Sequence, residues 1–292
     1  MRNGHICIRN LFVKKNLKKL RNEVLSIFEK NKLEAYRHKV RVTFNKSELD
    51  VESLSIQECE DTLSEIDKED IPFLQLFNVW KKSKKLASVA LSSSLGKVAA
   101  DLLGVPAVRL YQDALFIKRV GDGQTQWHSD LNQSPFDGND FITCWIPLQD
   151  IPAPEDGGSG LLFATASHRD FALPFWSDPR ECDCGDRYNI DAHGAINIGD
   201  ATFHHGWCLH TANANDLSET RYAYSVSYVA DNIKVLDKEG HVRYPNDEDY
   251  QSYRLWIDGM WGEFVHEDEH LPLVFVNESY VEDDYSDEDV EE

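Results

Sequence analysis

Gln126-Trp127-His128-Ser129-Asp130 sets an imidazole and a carboxylate two residues apart. If the stretch is a strand or a strand end, His128 and Asp130 project to the same side and address a single point. An H-x-D pair alone is weak, because a surface histidine near an aspartate is its usual explanation. A second source of imidazole changes the reading: GDATFHHGWCLHTANAND carries His204, His205 and His210, and Arg221 follows eleven residues after the last of them. Two histidines and one carboxylate on one face of a metal form the facial triad of non-haem Fe(II) oxygenases. Such a set compensates only part of the metal's charge and leaves up to three positions for a chelating cosubstrate and O₂. An arginine on a neighbouring strand suits the far carboxylate of that cosubstrate, since its fork binds carboxylates bidentately. Any of the three later histidines could be the second imidazole at this point. Adjacent strand residues point to opposite faces, so His204 and His205 cannot both enter one cavity. His205 and His210, five residues apart, also oppose one another unless a bulge at Gly206 intervenes.

The elements that must position these groups are legible from the hydrophobic period. GHICI, from Gly4 to Ile8, alternates like a short strand, and Leu17, Leu20, Val24, Leu25 and Phe28 then recur at helical spacing. Up to about Gly104 the pattern is mainly helical, with Gly104 placed as a C-terminal stop. From Val105 short β-branched and aromatic runs take over: VRLYQDALFIKRV, DFITCWIPLQDI, GSGLLFATA, GDATFHHGWCLHTA and RYAYSVSYVA. Helices followed by at least five strands predict a mainly β fold with flanking helices, a sandwich or barrel core carrying helices on one face. Residues 171–190 read as a long loop over one end of that core.

Composition bounds the partners. A chain of 292 residues with 41% hydrophobic residues and seven Trp is expected to bury a sizeable core. Lys and Arg number 30 against 51 Asp and Glu, a net charge of −21 that repels phosphate backbones and anionic lipid surfaces. Nucleic acid and membranes are therefore not expected partners, and no run approaches eighteen consecutive apolar residues. Nine of the acidic residues fall in 278–292, a block too charged to pack and expected to be disordered. The remaining 1–277 are expected to form one domain: helix-rich 1–104, a β core over 105–231, and a C-terminal extension over 232–277. Six cysteines in a chain of this size look like reduced thiols, which predicts an intracellular, cytoplasmic protein. The basic, acid-free residues 2–21 also permit a transit-peptide reading.

Four blocks, taken in order, resemble one family. GHICIRNLF, LFIKRVGDGQTQWHSD, GGSGLLFATASHR and GDATFHHGWCLHTANAND with the following Arg and YVAD are similar to blocks of the phytanoyl-CoA dioxygenase family of Fe(II)/2-oxoglutarate-dependent oxygenases. The resemblance covers about Gly4 to Asp231. It implies a double-stranded β-helix (jelly-roll, cupin-like) core. It also implies hydroxylation of an unactivated C–H bond of a small organic or acyl substrate, with Fe(II), 2-oxoglutarate and O₂ as cofactors and succinate and CO₂ as coproducts. Carried over, it puts His128, Asp130 and His210 on iron and Arg221 on the distal carboxylate of 2-oxoglutarate. Trp145 falls where the family places an aromatic beside the cosubstrate. Lys118 and Gln112, on the strand before the H-x-D, are expected to point into the same cavity. One departure is Thr165-Ala166-Ser167-His168, where many members have Pro-Gly-Ser-His. Two competing readings are a cupin-like metal binder without turnover and a zinc site drawn from Cys182, Cys184, His204, His205 and Cys208. C-x-C beside an isolated Cys208 lacks the paired C-x₂-C spacing that zinc sites show.

Overall fold

Helical and strand periods divide the molecule close to the boundary that the sequence predicts. The computed structural model describes residues 1–44, 49–170, 184–239, 252–266 and 268–277. A short strand β1 (His5–Ile8) leads into α1 (Lys14–Lys30), α2 (Lys32–Phe44) and α3 (Ile56–Leu63). Then come β2 (Leu74–Phe77), α4 (Lys84–Ala90) and α5 (Ser93–Leu103). The strand-rich part comprises β3 (Ala107–Lys118), β4 (Thr125–His128), β5 (Phe136–Asp137), β6 (Phe141–Pro147) and β7 (Leu161–Ala164). It continues through a one-turn α6 (Cys184–Arg187), β8 (Ile190–Asp191), β9 (Ala201–His205), β10 (His210–Ala212), β11 (Arg221–Ala230), β12 (Lys234–Val235) and β13 (Leu273–Val276). The acidic tail and Cys182 lie outside the described residues.

One detail differs from the sequence expectation. β2 sits inside the segment read as helical; LQLF is too short for a helical period to be tested, and pairing with β3 decides it. The apolar stretch Lys84–Leu103 has the composition of a membrane span, with a mean hydropathy of 1.3 in its most apolar window. It is nevertheless two helices, of 7 and 11 residues. The first ends at Ala90 with Leu91 as its cap, and Ser92 caps the second, its Oγ accepting from the Leu95 N–H. α5 stops at Gly104, whose φ of +79° carries its N–H to the Ala100 carbonyl.

All strand pairs in the two main sheets are antiparallel. The larger sheet has seven strands, in the order β1-β9-β6-β11-β3-β13 with β2 also on β3; the smaller runs β4-β10-β7-β8. The pleat of β11 shows how the larger sheet divides its labour. Tyr224, Val226 and Tyr228 face the core shared with the helices, whereas Arg221, Ser225 and Ser227 line a cavity on the other face. In β6, Ile142, Cys144 and Ile146 join that core while Thr143 and Trp145 face the cavity. Leu17, Val24 and Phe28 of α1 and Leu86 and Ala90 of α4 belong to the same cluster. The helices thus cover one face of the larger sheet, and the other face is left for chemistry.

Candidate metal centre

His128 is the last residue of β4 and is paired in register with His210, the first residue of β10. Their rings lie 4.2 Å apart between centroids. Asp130 reaches the same point by a turn rather than by the pleat: it has helical φ and ψ of −63° and −39° and opens a single 3₁₀ turn. Behind it, the chain between β9 and β10 turns through Gly206. A Cβ there would meet the Cβ atoms of Leu131 and Phe141, each at 2.9 Å. That close approach brings β10 against the Asp130 turn, and the Leu131 N–H donates to the Gly206 carbonyl.

One ligand atom from each of His128, Asp130 and His210 lies within 4.8 Å of the other two. The ring orientations are fixed by backbone. His128 Nδ1 donates to the Gln126 carbonyl (2.8 Å) and His210 Nδ1 to the Cys208 carbonyl (3.0 Å), since a carbonyl can only accept. Both Nε2 atoms therefore face Asp130 Oδ1, at 3.8 and 3.5 Å. The other oxygen, Oδ2, accepts from Thr143 Oγ1 (2.6 Å) and His204 Nε2 (3.1 Å). With the Thr143 hydroxyl committed to the carboxylate, the Ser227 hydroxyl 2.9 Å away donates to it in turn. One carboxylate oxygen is thus pinned by the larger sheet, and the other faces the two imidazoles.

Electrostatics suit a cation here. Burial works to raise the Asp130 carboxyl, but the surrounding His210, His204 and His128 outweigh it and hold the group well below the usual carboxylate range. His210 is held well below the ordinary imidazole range by burial and by its neighbours His128 and His204. At neutral pH the site therefore presents an ionised carboxylate beside a neutral His210, a protonation state ready for a divalent metal.

Arg221 opens β11 and lines the same cavity, 4% exposed. Its Nε is buried without a hydrogen-bond partner, and its guanidinium carbon stands 5.4 Å from the centre of the Trp145 ring. Burial lowers its pKa to about 10, which leaves it charged at neutral pH. Among the described residues the cation makes no ion pair, and the more distant Asp122 offsets its burial only in part; an anionic ligand in the cavity would relieve that cost. That orphaned donor, together with the ionised Asp130 beside two imidazoles, fits both groups the chemistry calls for: a divalent iron and a dicarboxylate cosubstrate.

The structure brings together His128, Asp130, His210, Arg221, Trp145 and Gln112 on one cavity wall. Lys118 does not line it. The side chain is fully buried at the end of β3, and its Nζ donates to the carbonyls of Pro72 and Gly123. Burial, with Arg221 nearby, brings its pKa down to about 7. Of the rival histidines, His204 faces the cavity and holds Asp130. His205 turns the other way, with its ring 5.2 Å from that of His168. Among the described residues, Cys184 and Cys208 join no cluster of three metal donors; Cys182, the remaining cysteine of that zinc reading, lies outside them. Sequence reasoning missed Thr143 as the partner of Asp130, although its parity with Trp145 along FITCWIP carried the signal.

Comparison with known proteins agrees with this geometry. Residues 1–223 match the family described as phytanoyl-CoA dioxygenase (PhyH). The chain belongs to that family. It is a 2-oxoglutarate-dependent oxygenase whose cofactors are Fe(II), 2-oxoglutarate and O₂. Similar solved structures include the non-haem α-ketoglutarate-dependent carbocyclase SnoK of nogalamycin biosynthesis, at 19% identity and a TM-score of 0.67, covering 94% of this chain and 92% of that one. The epimerase SnoN, solved with Fe³⁺, α-ketoglutarate and nogalamycin RO, is 16% identical with a TM-score of 0.61, covering 94% of each chain. EctD from S. alaskensis, solved with 2-oxoglutarate and 5-hydroxyectoine, is 17% identical with a TM-score of 0.60, covering 83% of this chain and 77% of that one. At these identities the likeness is one of fold. No curated protein is similar to the chain by sequence.

Proposed function

We propose that the enzyme hydroxylates an unactivated C–H bond of a small, uncharged and largely apolar molecule. The overall reaction takes 2-oxoglutarate, O₂ and substrate to succinate, CO₂ and an alcohol. His128, Asp130 and His210 are the iron ligands in this reading, and Arg221 holds the distal carboxylate of 2-oxoglutarate with Trp145 beside it. The observation that carries it is the convergence of two Nε2 atoms and Asp130 Oδ1 in a cavity that also contains a buried guanidinium whose Nε has no hydrogen-bond partner. Iron with 2-oxoglutarate and O₂ supplies the oxidising power; the protein supplies placement and exclusion of water.

The cavity, about 140 Å³, supports the substrate class. Phe73 just before β2, Phe77 at its end, and Tyr111 and Phe116 from β3 contribute aromatic surface, while Gln75, Gln112 and Gln133 offer neutral polar groups. Among the described lining residues Arg221 is the only Lys or Arg, and in this reading it serves the cosubstrate. A phosphorylated or carboxylated substrate would find no counter-ion among the described lining residues, so their chemistry favours a neutral molecule held by aromatic contact and amide hydrogen bonds. We also read residues 1–277 as one domain whose two sheets form the family's jelly roll, in an intracellular protein whose five described cysteines are all free thiols. The test is an Fe(II)-reconstituted screen of neutral small molecules with 2-oxoglutarate. Succinate formation coupled to a product heavier by one oxygen atom is the expected result; coupled succinate with a desaturated, cyclised or epimerised product would overturn hydroxylation.

A further inference from the structure

A second group of metal donors lies outside the cavity. His5 of β1 and His193, two residues beyond β8, face each other with His5 Nδ1 and His193 Nε2 3.0 Å apart. Asp191 completes the set, and one ligand atom from each of the three lies within 4.8 Å of the other two. Two imidazole nitrogens bound at about 2.0–2.1 Å to a tetrahedral zinc ion stand roughly 3.3 Å apart, close to the spacing seen here.

The surroundings hold these donors in place. His5 is 4% exposed, its ring is stacked on Phe163 at 4.7 Å, and its Nε2 shares a hydrogen bond with Thr165 Oγ1 (3.0 Å). A second-partner contact of this kind fixes the rings of metal-binding histidines and leaves the opposite nitrogen free. His193 has φ +59°, a left-handed conformation that a non-glycine residue adopts at a cost of about 1 kcal/mol or more. Its N–H donates to Asp191 Oδ1 (2.8 Å), and Asp191 Oδ2 lies 3.6 Å from His193 Nδ1. Arg9, just past β1, clamps this turn by donating to the carbonyls of His193 and Ala195 and to Asp200. Burial keeps His5, at about 4, and also His193 below the ordinary imidazole range, so both are neutral and able to ligate at pH 7.

We propose that His5, Asp191 and His193 bind a zinc-class divalent cation, which ties β1 of the larger sheet to the β8 turn of the smaller one. The donor set, two imidazoles and one carboxylate with a fourth position left for water, suits Zn(II). The ion would add to the hydrogen bonds by which His5 and Arg9 already join the two regions.

Equilibrium dialysis of the full chain against Zn(II) at neutral pH tests this, because zinc also enters the triad and stoichiometry separates the two sites. The intact protein is expected to hold two ions per chain. A variant carrying His128→Ala and His210→Ala is expected to hold one, and to lose it when His193→Ala is added. Because loss of both triad histidines can compromise folding, His193→Ala alone provides a second readout: it should lower the count from two to one, with an unchanged far-UV circular dichroism spectrum. A count of one in the intact protein, or a second ion that survives His193→Ala, overturns the proposal.

Discussion

Replacing Arg221 with Gln removes the charge while keeping a hydrogen-bonding side chain of similar reach. The guanidinium is 4% exposed, its Nε has no partner, and its pKa, lowered by burial to about 10, still leaves it a cation at neutral pH. A charge-assisted contact to a carboxylate contributes about 1.5–3 kcal/mol, and each 1.4 kcal/mol is a factor of ten. Arg221→Gln should therefore weaken 2-oxoglutarate binding by about 10- to 150-fold, read as an anaerobic titration of the Fe(II)-loaded protein and as the apparent KM for succinate formation. Iron affinity should change little, since Arg221 is not one of the three clustered metal donors. Stability supplies the discriminating control. In the absence of ligand the buried charge has no ion pair among the described residues and only the more distant attraction of Asp122, so its removal should leave Tm unchanged or raise it. A fall of several degrees in Tm with 2-oxoglutarate affinity within about twofold of the original would refute the reasoning and make Arg221 a structural residue.

Thr143→Val keeps the shape but deletes the 2.6 Å hydrogen bond to Asp130 Oδ2, and should weaken Fe(II) binding about 10- to 100-fold, measured by anaerobic competition with a chelator. Ala166 stands at φ +65° where the family's motif has Gly; Ala166→Gly should relieve a left-handed strain larger than the entropy glycine adds to the unfolded chain, a net gain of about 0.5–1 kcal/mol by denaturant unfolding. Asp113, fully buried and bonded by the Tyr224 hydroxyl, is pushed up by burial to about 7. Between about pH 4 and 7 the folded protein keeps a proton that the unfolded chain has lost, so this group makes stability fall with rising pH by up to about 1.4 kcal/mol per pH unit. Asp113→Asn should remove that component, seen as a smaller loss of stability between pH 4 and 7 than in the unsubstituted protein.

What the sequence disclosed about the site depended on period. RYAYSVSYVA alternates so cleanly that Arg221 and Tyr224 could be assigned to opposite faces, and both lie where that alternation sends them. Lys118 obeyed the same parity, yet it ends its strand where the carbonyls of Gly123, five residues on, and the distant Pro72 are within reach, and those partners capture it. The H-x-D pair was legible as a pair, although Asp130 joins His128 through a helical turn that no pleat argument contains. His204 was a rival ligand in the sequence; only the pairing of Thr143 with His204 across β6 and β9 reveals that both secure the same carboxylate oxygen. β2 stayed hidden because four residues hold too little period to outweigh the helical stretches around them. The cluster of His5 with His193 could not be read at all, because its members are 188 residues apart and meet only when the two sheets close.

Anaerobic absorption spectroscopy with Fe(II) and 2-oxoglutarate tests the metal centre most directly, because the visible charge-transfer band of the chelate requires iron and cosubstrate at one site. The intact protein should develop the band with one iron per chain. His210→Ala and His128→Ala should each abolish it at iron concentrations that saturate the original, with their far-UV circular dichroism unchanged. A band of full intensity in folded His210→Ala protein would contradict the triad of His128, Asp130 and His210.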